Sequence, residues 1–238
     1  MYFFFDNNEF IPIFKNIFKK YYNYNGDLNE IHTIINNSYM TEENILYLSK
    51  INTIGKDDRN SIFIKNYHNF IDSNPIFFET YHKFIIRHIK PLFPKEDKIV
   101  IQKTPNLRIS LPLLTAIGKR EEDPIDIIGL HSDSEFGHHS EEVNFIIPIT
   151  DMFDTNSIYY ESIQDSNTNY NEYLNLSLNT TQFFMEKFNK LKHYNKINTT
   201  NKTRMSLDLR VIPYSKYMEN IDFFNGTKFE LNNYYITI

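Results

Sequence analysis

The sequence lacks cysteine and tryptophan, and it has only six glycines and nine prolines in 238 residues. The absence of cysteine excludes disulfide bonds and thiolate metal ligands. No segment approaches the roughly twenty apolar residues of a membrane-spanning helix. The opening stretch, MYFFFDNNEF, has no basic leader or small-residue cleavage site. We therefore expect a cytoplasmic protein with no membrane partner.

Positive charge is also scarce. The formal net charge is −5 and the pI is near 5.9, so the chain lacks the basic character typical of nucleic-acid-binding proteins. Its length allows one sizeable core. We expect a single domain over residues 1–238, with a mainly helical part at 1–95 and a β-rich core at 96–238.

Helical patterns dominate the N-terminal part. Apolar residues recur at helical spacing within 41–51. A second helix is predicted to begin near Asn74, with Pro75 in its first turn, and to end before Pro94. From residue 98 the pattern alternates as in strands, notably at 106–111, 142–148 and 203–213. Within this part a loop is predicted at 164–179 and a helix at 181–191.

A candidate metal site lies at His131 and Asp133. On an extended backbone the side chains of residues two apart leave the same face, so both can bind one ion. A mononuclear non-haem iron site needs two histidines and one carboxylate. His193 is the only histidine after His139, and it is the predicted third ligand. In an alternative hypothesis, His138 or His139 completes a local zinc site; otherwise His138 contacts the substrate or a metal ligand.

A candidate anion site follows His193 at His-x10-Arg spacing. Arg204 and Ser206 share one face of the predicted strand. The two-pronged guanidinium of arginine pairs with carboxylates, and a neighbouring hydroxyl suits the distal carboxylate of 2-oxoglutarate. Arg210 lies on the same face, where it is either the alternative anchor or a structural partner of Asp208.

Two further polar residues lie on predicted strands. Asn144 either donates to bound 2-oxoglutarate or substrate, or makes an inter-strand hydrogen bond. Arg108 shares a face with Ser110, opposite an apolar face. It points either to solvent or into the active cavity, where it would bind a substrate carboxylate or phosphate.

The order of these residues resembles that in Fe(II)/2-oxoglutarate-dependent oxygenases, and the His-x10-Arg spacing resembles their phytanoyl-CoA hydroxylase branch. A closer resemblance is to StrG-like proteins of streptomycin biosynthesis. It covers about residues 99–215. It differs at Ser110, which replaces the usual histidine of the family and leaves the role of that position open. The matching segments are LRISLP from 107, HSDSEFGH from 131, EVNF from 142, TNS from 155, ES from 161 and the stretch 198–213.

The resemblance implies an α+β fold with a double-stranded β-helix core, a jelly roll of the cupin-like kind, and helices packed outside it, mainly from the N-terminal part. It implies Fe(II) on His131, Asp133 and His193, and 2-oxoglutarate bound by Arg204, Ser206 and Asn144. The other site candidates are substrate contacts or residues that contact the metal ligands: Arg108, His138 and Arg210.

The implied activity is that of a dioxygenase. With O₂ as co-substrate, it would hydroxylate a small molecule of polar or sugar type and release succinate and CO₂. The rival hypothesis is a non-catalytic or zinc-binding cupin-like domain that binds or modifies a sugar. Iron-dependent succinate formation separates the two. Nothing in the sequence indicates an oligomeric state.

Overall fold

A computed structural model describes residues 1–6, 8–36, 62–112, 128–162 and 173–238. These residues form two antiparallel sheets and a group of mainly N-terminal helices. The helix predicted at 41–51 lies outside the described residues. Within the described ranges, no helix has the length and apolar character needed to cross a bilayer.

The N-terminal helices are short and amphipathic. The predicted helix near Asn74 is confirmed: the Asn74 side chain accepts a hydrogen bond from the Ile76 amide at 3.3 Å, and Pro75 occupies the first turn. A π-helical turn at Ile85–Ile89 and a 3-10 turn at Lys90–Leu92 extend it towards Pro94. The α-helices are α1 (Phe10–Tyr22), α2 (His32–Asn36), α3 (Ile62–Asp72), α4 (Pro75–Phe84), α5 (Tyr214–Glu219) and α6 (Ile221–Phe224).

The larger sheet has the order β1-β8-β5-β10-β2-β11, with β3 also paired to β10, and the smaller sheet has the order β4-β9-β6-β7. The strands are β1 (Tyr2–Phe4), β2 (Ile99–Gln102), β3 (Asn106–Ser110), β4 (Ile128–His131), β5 (Val143–Pro148), β6 (Ile158–Glu161), β7 (Tyr173–Asn175), β8 (Gln182–Glu186), β9 (His193–Asn195), β10 (Arg204–Pro213) and β11 (Tyr235–Thr237).

The ten-residue strand β10 separates two environments by its alternation. One face joins the large hydrophobic core formed with the helices and consists of Met205, Leu207, Leu209 and Val211. Tyrosine hydroxyls fix the helices to the backbone beside the sheet, Tyr67 to the carbonyl of Pro105 at 2.9 Å and Tyr81 to that of Gln102 at 2.8 Å. The helices therefore pack on the outer face of the larger sheet, as predicted.

The opposite face of β10 is polar and points towards the smaller sheet. It carries Arg204, Ser206, Asp208 and Arg210, all of them buried. The register aligns Ser206 with Arg108 on β3 and Arg210 with Asn144 on β5, so these polar residues share one face. Beside this strip, a second apolar cluster joins the sheets, including Ile146 and Phe184 from the larger and Ile158 and Tyr160 from the smaller.

Two predictions in the C-terminal half are wrong. The segment 181–191 contains strand β8 instead of a helix. Phe183 packs into the helix-side core and Phe184 into the inter-sheet cluster, so these neighbours occupy opposite faces of a strand buried on both sides. The predicted loop at 164–179 contains strand β7, where Tyr173 pairs with Glu161. The Asn- and Ser-rich composition concealed this strand; residues 163–172 lie outside the described ranges.

Candidate metal centre

The pairing of β4 with β9 places His131 directly opposite His193. Their ring centroids are 4.4 Å apart. The pairing is irregular between Ile128 and His131, and within this bulge Gly129 has a φ of +64°. Residues other than glycine rarely adopt this backbone conformation, so Gly129 permits the irregular pairing that precedes His131.

Asp133 begins a 3-10 turn immediately after β4. Ser132 and Glu135 cap this turn through reciprocal hydrogen bonds, and the amide of Asp133 donates to the carbonyl of Phe188 at 2.9 Å. Oδ1 of Asp133 lies 3.7 Å from Nε2 of His131 and 3.7 Å from Nε2 of His193. The carboxylate therefore faces both imidazoles from a position fixed by its own backbone.

Backbone carbonyls orient both imidazoles. Nδ1 of His131 bonds to the carbonyl of Gly129, and Nδ1 of His193 to that of Leu191 at 3.2 Å. Because a carbonyl only accepts, each Nδ1 donates a proton, and the Nε2 of a neutral ring then has the lone pair that a metal needs. A ring nitrogen of each histidine and a carboxylate oxygen of Asp133 lie within 4.8 Å of one another, and the described part of the chain contains no other cluster of this kind. Ligands about 2.1 Å from one ion can be up to roughly 4.2 Å apart, so separations of 3.7 Å suit a shared ion.

The charges at this cluster match those of a metal site. Burial opposes ionisation of Asp133, but Arg210 and neighbouring hydrogen-bond donors hold the pKa of its carboxyl well below the usual range. Burial lowers the pKa of His193 to about 4. At neutral pH Asp133 is an anion and His193 a neutral imidazole, the forms in which these side chains bind metals.

The second oxygen of Asp133 is held from the larger sheet. Oδ2 accepts from Nη2 of Arg210 at 2.7 Å and from Nδ2 of Asn144 at 2.8 Å. Arg210 also lies 3.5 Å from Glu142 and 3.9 Å from Asp208, and its pKa is raised by Asp133 first and by these two carboxylates next, although burial opposes the shift. The guanidinium of Arg210 is thus paired with protein carboxylates, although its Nε lies within ion-pair distance of Glu142 without a hydrogen bond to a described residue. The amide nitrogen of Asn144 donates its hydrogen bond to Asp133. The sequence had suggested either a ligand or a neighbouring strand as its partner.

Arg204 differs from Arg210 although both occupy one strand face. It is only 3% exposed and forms no ion pair with any carboxylate of the described residues. Its Nε and Nη1 and the hydroxyl of Ser206 are buried without a hydrogen-bond partner in these ranges. Burial, reinforced by the nearby Arg108, lowers the pKa of Arg204 to about 10. A buried cation with unsatisfied donors is unfavourable unless an anion binds there.

Arg108 points to the interior face of the sheet. Its Nη2 lies 3.5 Å from Oδ2 of Asp208, and its side chain is 36% exposed. Arg108 therefore lies on the polar face of the sheet, with Ser206 and Asp208. Asp208 lies between Arg108 and Arg210. Its oxygen is 3.5 Å from Arg108 and 3.9 Å from Arg210, so its contact with Arg210 is the longer of the two.

His138 and His139 lie outside the cluster of metal-binding groups. Nδ1 of His138 pairs with Oε2 of Glu142 at 2.7 Å, and the His139 ring packs on Phe223 and Phe224. Neither belongs to the described group that could hold a metal. His138 instead connects through Glu142 to Arg210.

Sequence patterns did not identify two residues of this network. Glu142 is fully buried and joins His138 to Arg210. The sequence does contain one sign that Glu142 is buried, because this glutamate directly precedes the apolar run VNFIIPI. Tyr234 places its hydroxyl 3.4 Å from Nη1 of Arg210. No local pattern indicates this contact, because it depends on β11 pairing with β2.

No protein-family model matches the sequence. Streptomycin biosynthesis protein StrG of Streptomyces griseus is 27% identical over 146 residues, which make up 60% of this chain and 62% of StrG. A nickel complex of the non-heme monooxygenase ThoJ has a TM-score of 0.38 at 13% identity, covering 72% of this chain and 66% of ThoJ.

HygX of Streptomyces hygroscopicus, solved with nickel and 2-oxoglutarate bound, has a TM-score of 0.34 at 10% identity, covering 73% of this chain and 87% of HygX. Both TM-scores lie below 0.5, so these two likenesses carry no conclusion about the chemistry of this chain. The resemblance to StrG-like proteins that the motifs indicated is confirmed by the sequence match to StrG.

Proposed function

We propose that this protein is an Fe(II)- and 2-oxoglutarate-dependent dioxygenase that hydroxylates a polar small molecule or sugar-type substrate. We further propose that residues 1–238 form one domain, in which the two sheets are the halves of a double-stranded β-helix and the helices at 1–95 support its outer face. A cytoplasmic location belongs to the same proposal.

The donor set supports iron as the resident metal. Two neutral imidazoles and one carboxylate form the facial triad of mononuclear non-haem iron enzymes, which leaves positions open for co-substrate and oxygen. His131, Asp133 and His193 would hold the ion. The chain is preorganised for this task, since backbone carbonyls fix both imidazole tautomers and Arg210 and Asn144 fix the carboxylate.

The unpaired charge of Arg204 is the observation that carries the co-substrate assignment. Among the described residues, the other two arginines of the polar strip each have a carboxylate partner: the buried Arg210 pairs with Asp133 and the partly exposed Arg108 with Asp208. Arg204 has none, and it shares its face with the unpartnered hydroxyl of Ser206. A dicarboxylate such as 2-oxoglutarate would satisfy this position with one carboxylate, and its keto-acid end would bind the metal. Asn144 is a less suitable anchor, since only its Oδ1, an acceptor, remains without a partner.

When bound, Fe(II) with 2-oxoglutarate and O₂ would supply oxidation of a substrate C–H bond, with release of succinate and CO₂. The side chains of the protein bind and orient. Arg204 and Ser206 fix the far end of the co-substrate and keep water from that carboxylate, because both are buried. Arg210 neutralises the Asp133 carboxylate and holds one of its oxygens away from the imidazoles. Arg108, whose side chain is partly exposed beside Asp208, would bind a polar substrate.

Succinate production tests the proposal. Protein reconstituted with Fe(II) and supplied with 2-oxoglutarate and O₂ should form succinate slowly even without the prime substrate. His193→Ala should abolish this turnover, and Arg204→Met should reduce it by about a hundredfold at limiting 2-oxoglutarate. His68→Ala is the matched control, because this histidine lies on helix α3 and does not belong to the metal-binding cluster; the variant should behave as wild type.

The rival zinc-binding or non-catalytic sugar-binding domain predicts a different outcome. Such a protein forms no succinate with any metal, and its metal affinity does not depend on His193. Wild-type protein that binds Fe(II) tightly but yields no succinate would refute the oxygenase proposal.

A further inference from the structure

The two oxygens of the Asp133 carboxylate have different partners. Oδ1 faces the two imidazoles at 3.7 Å, whereas Oδ2 accepts short hydrogen bonds from Arg210 at 2.7 Å and from Asn144 at 2.8 Å. A hydrogen bond directed at one oxygen uses lone pairs that a metal would otherwise need for two-oxygen coordination. One oxygen is therefore available for the ion and the other is engaged.

One cross-strand pair supplies both donors to Oδ2. The register of β10 with β5 aligns Arg210 with Asn144. These strands belong to the larger sheet, whereas Asp133 follows a strand of the smaller sheet. The contact therefore ties the metal-binding carboxylate to the opposite sheet and fixes the position of the ligand between them.

Arg210 is itself held by groups that do not touch the metal ligands. Glu142 lies 3.5 Å from its Nε, and the Tyr234 hydroxyl 3.4 Å from its Nη1. Glu142 is anchored in turn by Nδ1 of His138 at 2.7 Å and by the amide of His139 at 3.0 Å. These contacts fix the guanidinium in one orientation, with Nη2 directed at Asp133.

From this geometry we propose that Arg210 and Asn144 are positioning residues that restrict Asp133 to one-oxygen coordination of the metal. The inference rests on the metal site proposed above. A carboxylate bound through both oxygens occupies two coordination positions, and one bound through a single oxygen occupies one. The pair Arg210 and Asn144 thereby keeps a coordination position open on the metal for the co-substrate.

Nickel titration and the spectrum of cobalt-substituted protein test this inference without turnover or 2-oxoglutarate. Changing an outer partner of a metal ligand typically lowers metal affinity by about tenfold to a hundredfold. We expect losses in that range for Asn144→Ala and Arg210→Gln, together with an altered cobalt(II) visible spectrum. Arg210→Lys, which retains the charge, should recover part of the affinity. Arg87→Gln is the matched control, because Arg87 pairs with Glu9 at the surface and takes no part in the polar strip.

The outcomes separate this inference from the proposed function. If wild-type protein and His193→Ala bind nickel equally, the metal site itself is misplaced. If His193→Ala loses nickel while Asn144→Ala stays within about twofold of wild type with an unchanged cobalt spectrum, the site stands and the positioning role is overturned. Should Arg210→Gln fail to fold because it leaves Glu142 buried without its cation, Asn144→Ala alone decides the question.

Discussion

The two buried arginines of β10 should respond in opposite directions to the same substitution. Arg204 and Arg210 lie on one face of one strand and are 3% and 4% exposed. Arg210 is paired with Asp133, whereas Arg204 has no ion pair with any described residue. We predict that Arg204→Met stabilises the ligand-free protein and that Arg210→Met destabilises it.

The magnitudes follow from burial and pairing. Burial lowers the pKa of Arg204 to about 10, and at about 1.4 kcal/mol per pH unit this corresponds to about 3 kcal/mol against the charged side chain at neutral pH. Methionine keeps much of the apolar stem and removes the charge, so the free energy of unfolding should rise by about 2–3 kcal/mol. Removing Arg210 leaves Asp133 and Glu142 without their buried cation, which typically costs about 3–5 kcal/mol.

Urea denaturation of metal-free protein measures both effects. A second experiment links the stability gain to function: at a hundred times its dissociation constant, 2-oxoglutarate should stabilise metal-loaded wild-type protein by about 2.7 kcal/mol. The same concentration should leave Arg204→Met nearly unchanged. If Arg204→Met loses as much stability as Arg210→Met, the idea of a cation awaiting an anionic ligand is wrong.

Three further predictions follow from individual contacts. Arg204→Lys should raise the Michaelis constant for 2-oxoglutarate less than Arg204→Ala, since lysine keeps the charge but loses one prong; succinate formation measures this. Asn8→Ala should lower the free energy of unfolding by about 2–3 kcal/mol, because it leaves the buried carbonyl of Pro148 and the partly buried carbonyl of Thr180 without the donor now 2.7 and 3.0 Å away. Urea titration would show a loss below about 0.5 kcal/mol if the contact is unimportant. Burial lowers the pKa of His193 to about 4 in the folded protein, so the unfolded chain takes up this proton first as the pH falls below about 6.5. The free energy of unfolding of the metal-free protein should therefore drop by about 3 kcal/mol by pH 4. His193→Gln should show a correspondingly smaller drop.

The local sequence pattern correctly predicted those parts of the fold that depend on a short run of residues alone, namely the two faces of β10 and the start of α4. The alternation of β10 predicted that Arg204, Ser206 and Arg210 share a face, because a strand has a period of two whatever its neighbours. The start of α4 was predictable for a similar reason, since Asn74 and Pro75 suit only the first turn of a helix.

Pairing between distant strands was not predictable from local pattern. The different roles of Arg204 and Arg210 depend on Asp133 from the other sheet reaching one of them and not the other. Strand β8 was missed for the same reason: Phe183 and Phe184 fit a helix stripe equally well until β1 and β5 flank the segment. Glu142 acquired its role only through the cation that β10 places beside it.

A crystal structure of protein loaded anaerobically with Fe(II) and the co-substrate analogue N-oxalylglycine, with the metal located by anomalous scattering, would show both the metal ligands and the co-substrate anchor. We predict one iron bound by Nε2 of His131, Oδ1 of Asp133 and Nε2 of His193, with the distal carboxylate of the analogue paired with Arg204. Iron held by His138 in place of His193, or the analogue paired with Arg210 while Arg204 stays unpaired, would contradict the proposed site.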